Sequence, residues 1–158
     1  MPQGKGNRLP PVAGRRAESI VVWVMRFLAL SFAVVGICFI ASPDGTLDNM
    51  SDLGDRLGDF TRAPHTEVRF WLALGFAYMV VIAGIALVVS LDVRRYRPLL
   101  LVLAAGKAAS SLAAGVFYLE HDVFIYLLNF VVDGSLVLTV LACWVLAGRV
   151  EAEAGAPP

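Results

Sequence analysis

Charge is scarce in this chain. Only 16% of its 158 residues are Asp, Glu, Lys or Arg, and 58% are hydrophobic; a soluble domain has about a quarter of its residues charged. The thirteen basic and thirteen acidic residues cancel, which leaves no electrostatic footprint for nucleic acid. Histidine is limited to His65 and His121, with no His-x-x-x-His or Glu-x-x-His spacing. A haem or di-metal site built by this chain alone is therefore not expected, and no cofactor is assigned. The two cysteines, Cys38 and Cys143, have no zinc or redox spacing. They fall near opposite ends of their hydrophobic runs, about 20 Å apart at 1.5 Å of rise per residue, which excludes a disulfide. Gly-rich phosphate loops, Ser-His-Asp order and Cys-His nucleophile signatures are also missing. The sequence thus names no reaction and leans away from an enzyme.

What the chain has in quantity is long apolar runs, and its mean hydropathy is +0.73. Four runs of membrane length stand out, at about 19–41, 69–91, 99–119 and 123–147. The first follows a basic head, as a signal peptide would, but exceeds the roughly 7–15 apolar residues of a signal core. It therefore reads as a transmembrane helix. Residues 1–18, rich in Pro, Gly and basic side chains, read as a disordered cytoplasmic tail, and 148–158 as a second.

The first connection is the longest. Pro43 ends the first span, and Asp44 or Thr46 offers a cap for a following helix. Leu47, Met50, Leu53, Leu57 and Phe60 recur at spacings of three and four among acidic residues, which predicts a short amphipathic helix closed by Pro64. Within the second span, Gly75 and Gly84 are expected to admit a close neighbour.

Basic residues set the orientation. Lys5, Arg8, Arg15, Arg16, Arg94, Arg95, Arg97 and Arg149 lie in the N-terminal tail, the second connection and the C-terminal tail. The first connection with its edge holds Arg56, Arg62 and Arg69, and the third holds none. The positive-inside bias places both termini in the cytoplasm, in agreement with an even number of spans.

Two charges remain at membrane depth. Lys107 lies about 12 Å into the third span and Asp133 about 15 Å into the fourth by helical rise. The three-residue connection Glu120–Asp122 makes these helices antiparallel neighbours, so the two charges meet at one level. Lys107, Ser111, Tyr118 and His121 share one face of the third span, with Ser110 beside it, and Tyr126, Asn129 and Asp133 share one face of the fourth. Arg26, about two turns inside the first span, either snorkels to the headgroups or points inward. Pointing inward, it would give the cluster two bases against one acid. The candidate buried polar site is therefore Lys107, Asp133, Asn129, Ser111, Tyr126 and Arg26.

The expectation is an all-α integral membrane protein, a four-transmembrane-helix bundle with an amphipathic helix in its first extracytoplasmic connection. It is expected in a bacterial inner membrane as a non-enzymatic subunit or accessory component of a larger complex. The lipid bilayer surrounds it, and the small residues flanking Lys107 offer a face for a membrane-protein partner or for self-association. A small oligomeric or proton-coupled carrier using Lys107 and Asp133 is the alternative. A membrane enzyme on a lipid- or quinone-like substrate is the third.

Overall fold

The computed structural model describes residues 12–64 and 69–155. Those residues form five helices: α1 (Val12–Ala41), α2 (Pro43–Leu57), α3 (Arg69–Leu91), α4 (Pro98–His121) and α5 (Phe124–Gly155). No strand occurs among them beyond one isolated bridge between Thr61 and Val123. Four helices are long and apolar enough to cross a membrane, spanning Gly14–Ala41, Arg69–Leu91, Pro98–His121 and Phe124–Arg149. Large apolar side chains cover their outer faces; Trp23, Phe27, Leu112 and Leu138 are all more than 60% exposed. An apolar exterior of this kind fits a multi-pass membrane protein, whose solvent is lipid.

The helices pair as α1 with α3 and α4 with α5, and α1 packing on α5 joins the pairs. The close-packed core occupies only one half of the bundle, the half nearer the termini. It is built from Val21, Met25 and Leu28 of α1, Ala86 and Val89 of α3, Leu100 and Leu103 of α4, and Val140 and Cys143 of α5. At that end Arg97 bolts α4 onto α5: its guanidinium lies 4.4 Å from the Trp144 ring centroid and donates through Nε to the Trp144 carbonyl at 3.2 Å. Gly148 makes this possible, since a Cβ there would lie 2.5 Å from the guanidinium. The opposite half, capped by α2, is not filled in this way.

Several boundaries differ from those expected. α1 begins at Val12, inside the stretch read as a tail; residues 1–11 of that stretch lie outside the described residues. Val12–Glu18 lacks an apolar period, but its Ala, Arg and Glu favour a helix, and Glu18 reaches Arg94 at 3.8 Å. α5 likewise continues past 147 to Gly155 through Glu and Ala residues, and 156–158 of the C-terminal tail lie outside the described residues.

In α2 the N-cap is Ser42 with Pro43 in the first turn, rather than Asp44 or Thr46. The Thr46 hydroxyl instead donates to the Ser42 carbonyl at 2.7 Å. The helix ends at Gly58, well before Pro64, and the Gly58 N–H bonds the Gly54 carbonyl. Its inward face is Leu47, Met50, Ser51 and Gly54, whereas Leu53 and Leu57 are exposed. The cause is steric. A Cβ on Gly54 would lie 2.7 Å from Phe124, so the glycine is where α2 can touch α5. Among the described residues no atom lies within 4 Å of a Cβ built on Gly75 or Gly84, so neither receives the close neighbour expected there.

Outside the spans, Arg62 folds back on α2 and bridges Asp52 and Asp55. The hydrogen bonds it donates to Asp55 and Asp52, with their negative charge, raise its pKa above the usual value. The following strand-like segment is held at Thr61, whose N–H donates to the Asp122 carbonyl at 3.0 Å. Asp122 has the one positive φ at a non-glycine among the described residues, 51°, and forms the left-handed cap of α4, a conformation Asp tolerates better than most residues.

Candidate functional site

Residue spacing alone accounts for the centre of the site. The cap at Asp122 turns the chain directly from α4 into α5, so positions counted back from and forward of the turn face each other. Lys107 and Asp133 meet in this way: Nζ donates to Oδ1 at 2.9 Å, with the side chains 3% and 5% exposed. An ammonium at this depth requires an answering charge, and Asp133 provides it. Two rings shield the ammonium as well, Phe32 of α1 at 4.7 Å and Tyr78 of α3 at 5.7 Å to their centroids. Lys107 is therefore touched by all three other spans. Cation–π contacts of this kind, largely desolvated, are worth up to about 2 kcal/mol.

Further contacts extend the α4–α5 seam. The Ser111 hydroxyl donates to the Phe130 carbonyl at 2.8 Å, and the Asn129 amide reaches the Ser110 hydroxyl at 3.4 Å. Gly115 and Gly134 let the backbones approach, because Cβ atoms there would meet the Phe130 ring at 3.0 Å and the Ser111 Oγ at 3.3 Å. Tyr126 packs its ring on Phe117 at 5.7 Å and on His121 at 6.4 Å. Lys107, Ser111, Asn129, Tyr126 and Asp133 thus line one interface. Tyr118 does not join them; it lies near the end of its own helix, where its carbonyl accepts the Asp122 N–H at 2.9 Å.

Arg26 stands apart. It is exposed on the outer face of α1, so the cluster is one base against one acid and does not carry a surplus positive charge. Among the described residues no three His, Cys, Asp or Glu side chains converge in a way that would hold a metal ion; His65 lies outside them.

Two features escaped the sequence reading. The first is the pair of rings over Lys107, since an aromatic residue in a spanning run carries no mark of its target. Close by, the Tyr78 hydroxyl is buried without a hydrogen-bond partner, 3.3 Å from where a Cβ on Gly106 would sit. The second is a chamber of about 800 Å³ in the half of the bundle capped by α2, about half open to the outside between the helices. Its walls come from α1 and α5, with Trp71 and Met79 of α3, and Leu47 and Met50 of α2 lie over it. Lys107 and Asp133 sit where the chamber meets the packed half. Amphipathic spacing in α2 was the one sequence signal that pointed towards this space. No protein-family model, no curated protein and no solved structure matches the chain.

Proposed function

We propose that this chain is a small non-enzymatic component of a bacterial inner-membrane assembly, with both termini in the cytoplasm. The observation that carries the reading is the closure of Lys107 on Asp133 at 2.9 Å within a seam of further α4–α5 contacts. Each charge is spent on the other, and the pair acts as a pin that sets the register of two helices, a use well attested for buried ionic groups. An acid–base catalyst or a proton relay would call for a second carboxylate or imidazole alongside. Among the described residues, Lys107 and Asp133 are the only charged side chains on the chamber wall.

The assembly surface is the outward strip of α4. Ala105, Ala109 and Ala113, spaced four apart, are exposed and present a smooth face on which another helix can pack closely. Purification in mild detergent with identification of co-eluting chains tests the proposal. Expected is a companion chain or a homo-oligomer that is lost in Ala109→Phe, whose fold is otherwise intact. A lone monodisperse monomer refutes it. The carrier and enzyme readings demand that the pair part during a cycle, so a Lys107→Met/Asp133→Leu variant that keeps its cellular role removes both.

A further inference from the structure

A pin needs no chamber. Filling the space with larger apolar side chains would let the helices that wall it pack on one another at no polar cost. The space is nonetheless large. At about 800 Å³ it falls in the range of small-molecule sites, about 300–1,000 Å³. Its walls are overwhelmingly apolar and aromatic, with Phe27, Phe39 and Trp71 among them. The charged groups lie at one place, the Lys107–Asp133 pair, with Asn129 one turn away on α5 and the Ser31 and Tyr126 hydroxyls elsewhere on the wall.

We infer that the chamber binds a neutral amphiphile, a long apolar chain ending in a carbonyl-bearing head, with that head on Lys107. Charge complementarity selects the class. Among the described residues the wall carries one positive and one negative group, in contact with each other, and their charges cancel. A carboxylate or phosphate head would bring a third charge to membrane depth with no counter-charge left for it. A neutral carbonyl oxygen suits the site because an ammonium has three donors; one goes to Asp133, and the Phe32 and Tyr78 rings that lie over it accept no ordinary hydrogen bond, so a carbonyl entering from the chamber would exchange a cation–π contact for one. Aromatic walls and the apolar side chains of α2 above them accept the chain. Quinones and neutral acyl esters share this chemistry.

Trp71 lines the chamber while Trp23 and Trp144 do not, which gives a direct readout. Purified protein in detergent is titrated with decylubiquinone, with 1,2-dioctanoylglycerol and with palmitate at a pH that keeps palmitate ionised, following displacement of a brominated neutral ester that quenches tryptophan. Expected is saturable displacement by at least one of the two neutral probes, at least tenfold tighter than by palmitate, and loss of the quenching signal in Trp71→Phe. The neutral probe that binds more tightly identifies the source. Val35→Trp, which fills the chamber from α1 and leaves the ion pair untouched, is expected to abolish binding. Lys107→Met/Asp133→Leu is expected to weaken it about tenfold. Binding of palmitate as tight as the neutral probes, unchanged binding in Val35→Trp or in the double variant, or no saturable displacement at all overturns the inference. Each readout is independent of whether a companion chain co-purifies.

Discussion

Removing one member of the Lys107–Asp133 pair should harm this protein far more than removing both. Lys107→Met keeps an unbranched side chain of similar reach but leaves a carboxylate 5% exposed with no ammonium beside it. Asp133→Leu leaves the converse. Orphaning a buried charge costs about 3–5 kcal/mol, a fifth or more of the roughly 5–15 kcal/mol that holds a typical domain together. In the double variant neither charge remains. It forfeits the pair and the cation–π contacts with Phe32 and Tyr78, and gains apolar packing in return. Interhelical polar contacts in bilayers average only about 0.6 kcal/mol, so the double variant should lie within about 2 kcal/mol of the parent. Simple addition of the two single effects would instead give a loss of about 6–10 kcal/mol. Unfolding of the four proteins by sodium dodecyl sulfate in mixed micelles, followed by circular dichroism, separates these outcomes. A double variant as unstable as the sum of the singles, or a Lys107→Met protein within about 1 kcal/mol of the parent, would refute the reasoning.

Other positions give sharper local tests. Gly54→Ala places a Cβ 2.7 Å from Phe124 and should cost about 1–3 kcal/mol by overpacking; faster proteolysis within 58–64 reports it, and Phe124→Ala should relieve it. Gly84→Ala meets nothing within 4 Å and should be neutral or stabilising by about 0.5–1 kcal/mol through chain entropy, so a clear loss in the detergent titration would show a neighbour there. Arg97→Lys keeps the charge but loses the fork that stacks on Trp144 and bonds its carbonyl, and should shift the Trp144 emission with a loss of about 1 kcal/mol. Cysteines introduced at Asp48 and at Arg95 should label with an impermeant maleimide in intact cells at 48 alone; labelling at 95 would invert the orientation.

How much of this was legible depended on how far apart the interacting residues lie in the chain. Spans, the tight α4–α5 turn and the Lys107–Asp133 pair follow from hydropathy, chain direction and the helical rise, because a three-residue connection leaves little freedom between the positions it joins. The neighbours supplied by other helices were not legible. Phe32 and Tyr78 converge on Lys107 only through the crossing of α1 and α3 with α4, and nothing local in either segment records that crossing. Arg26 was undecided for the same reason: its face depends on how α1 is rotated, and the structure turns it outward. The inward face of α2 was half right. Leu47 and Met50 belong to it, but the smallest residue, Gly54, decides the contact, where the hydrophobic pattern had favoured Leu53 and Leu57. Helix ends in polar sequence were missed because Glu, Arg and Ala extend a helix without any apolar period.

The separation of Lys107 from Asp133, twenty-six residues along the chain, has a consequence for how the protein is made. Lys107 leaves the ribosome ahead of its counter-charge, which follows twenty-six residues behind. α4 by itself would enter the bilayer with a lysine near its middle, at a cost of about 2.5–3.5 kcal/mol on insertion scales. Only when α5 has followed does Asp133 cancel that cost. The expected consequence is that the two helices insert as one unit, a hairpin in which each charge enters with its partner. Thr61 finds its partner at Asp122 only once that hairpin has turned, so the first connection is fastened by the last helices to arrive. Biogenesis of this small protein is thus weighted to its final third, and a stalled or truncated chain would leave both the lysine and the roof of the bundle unsecured.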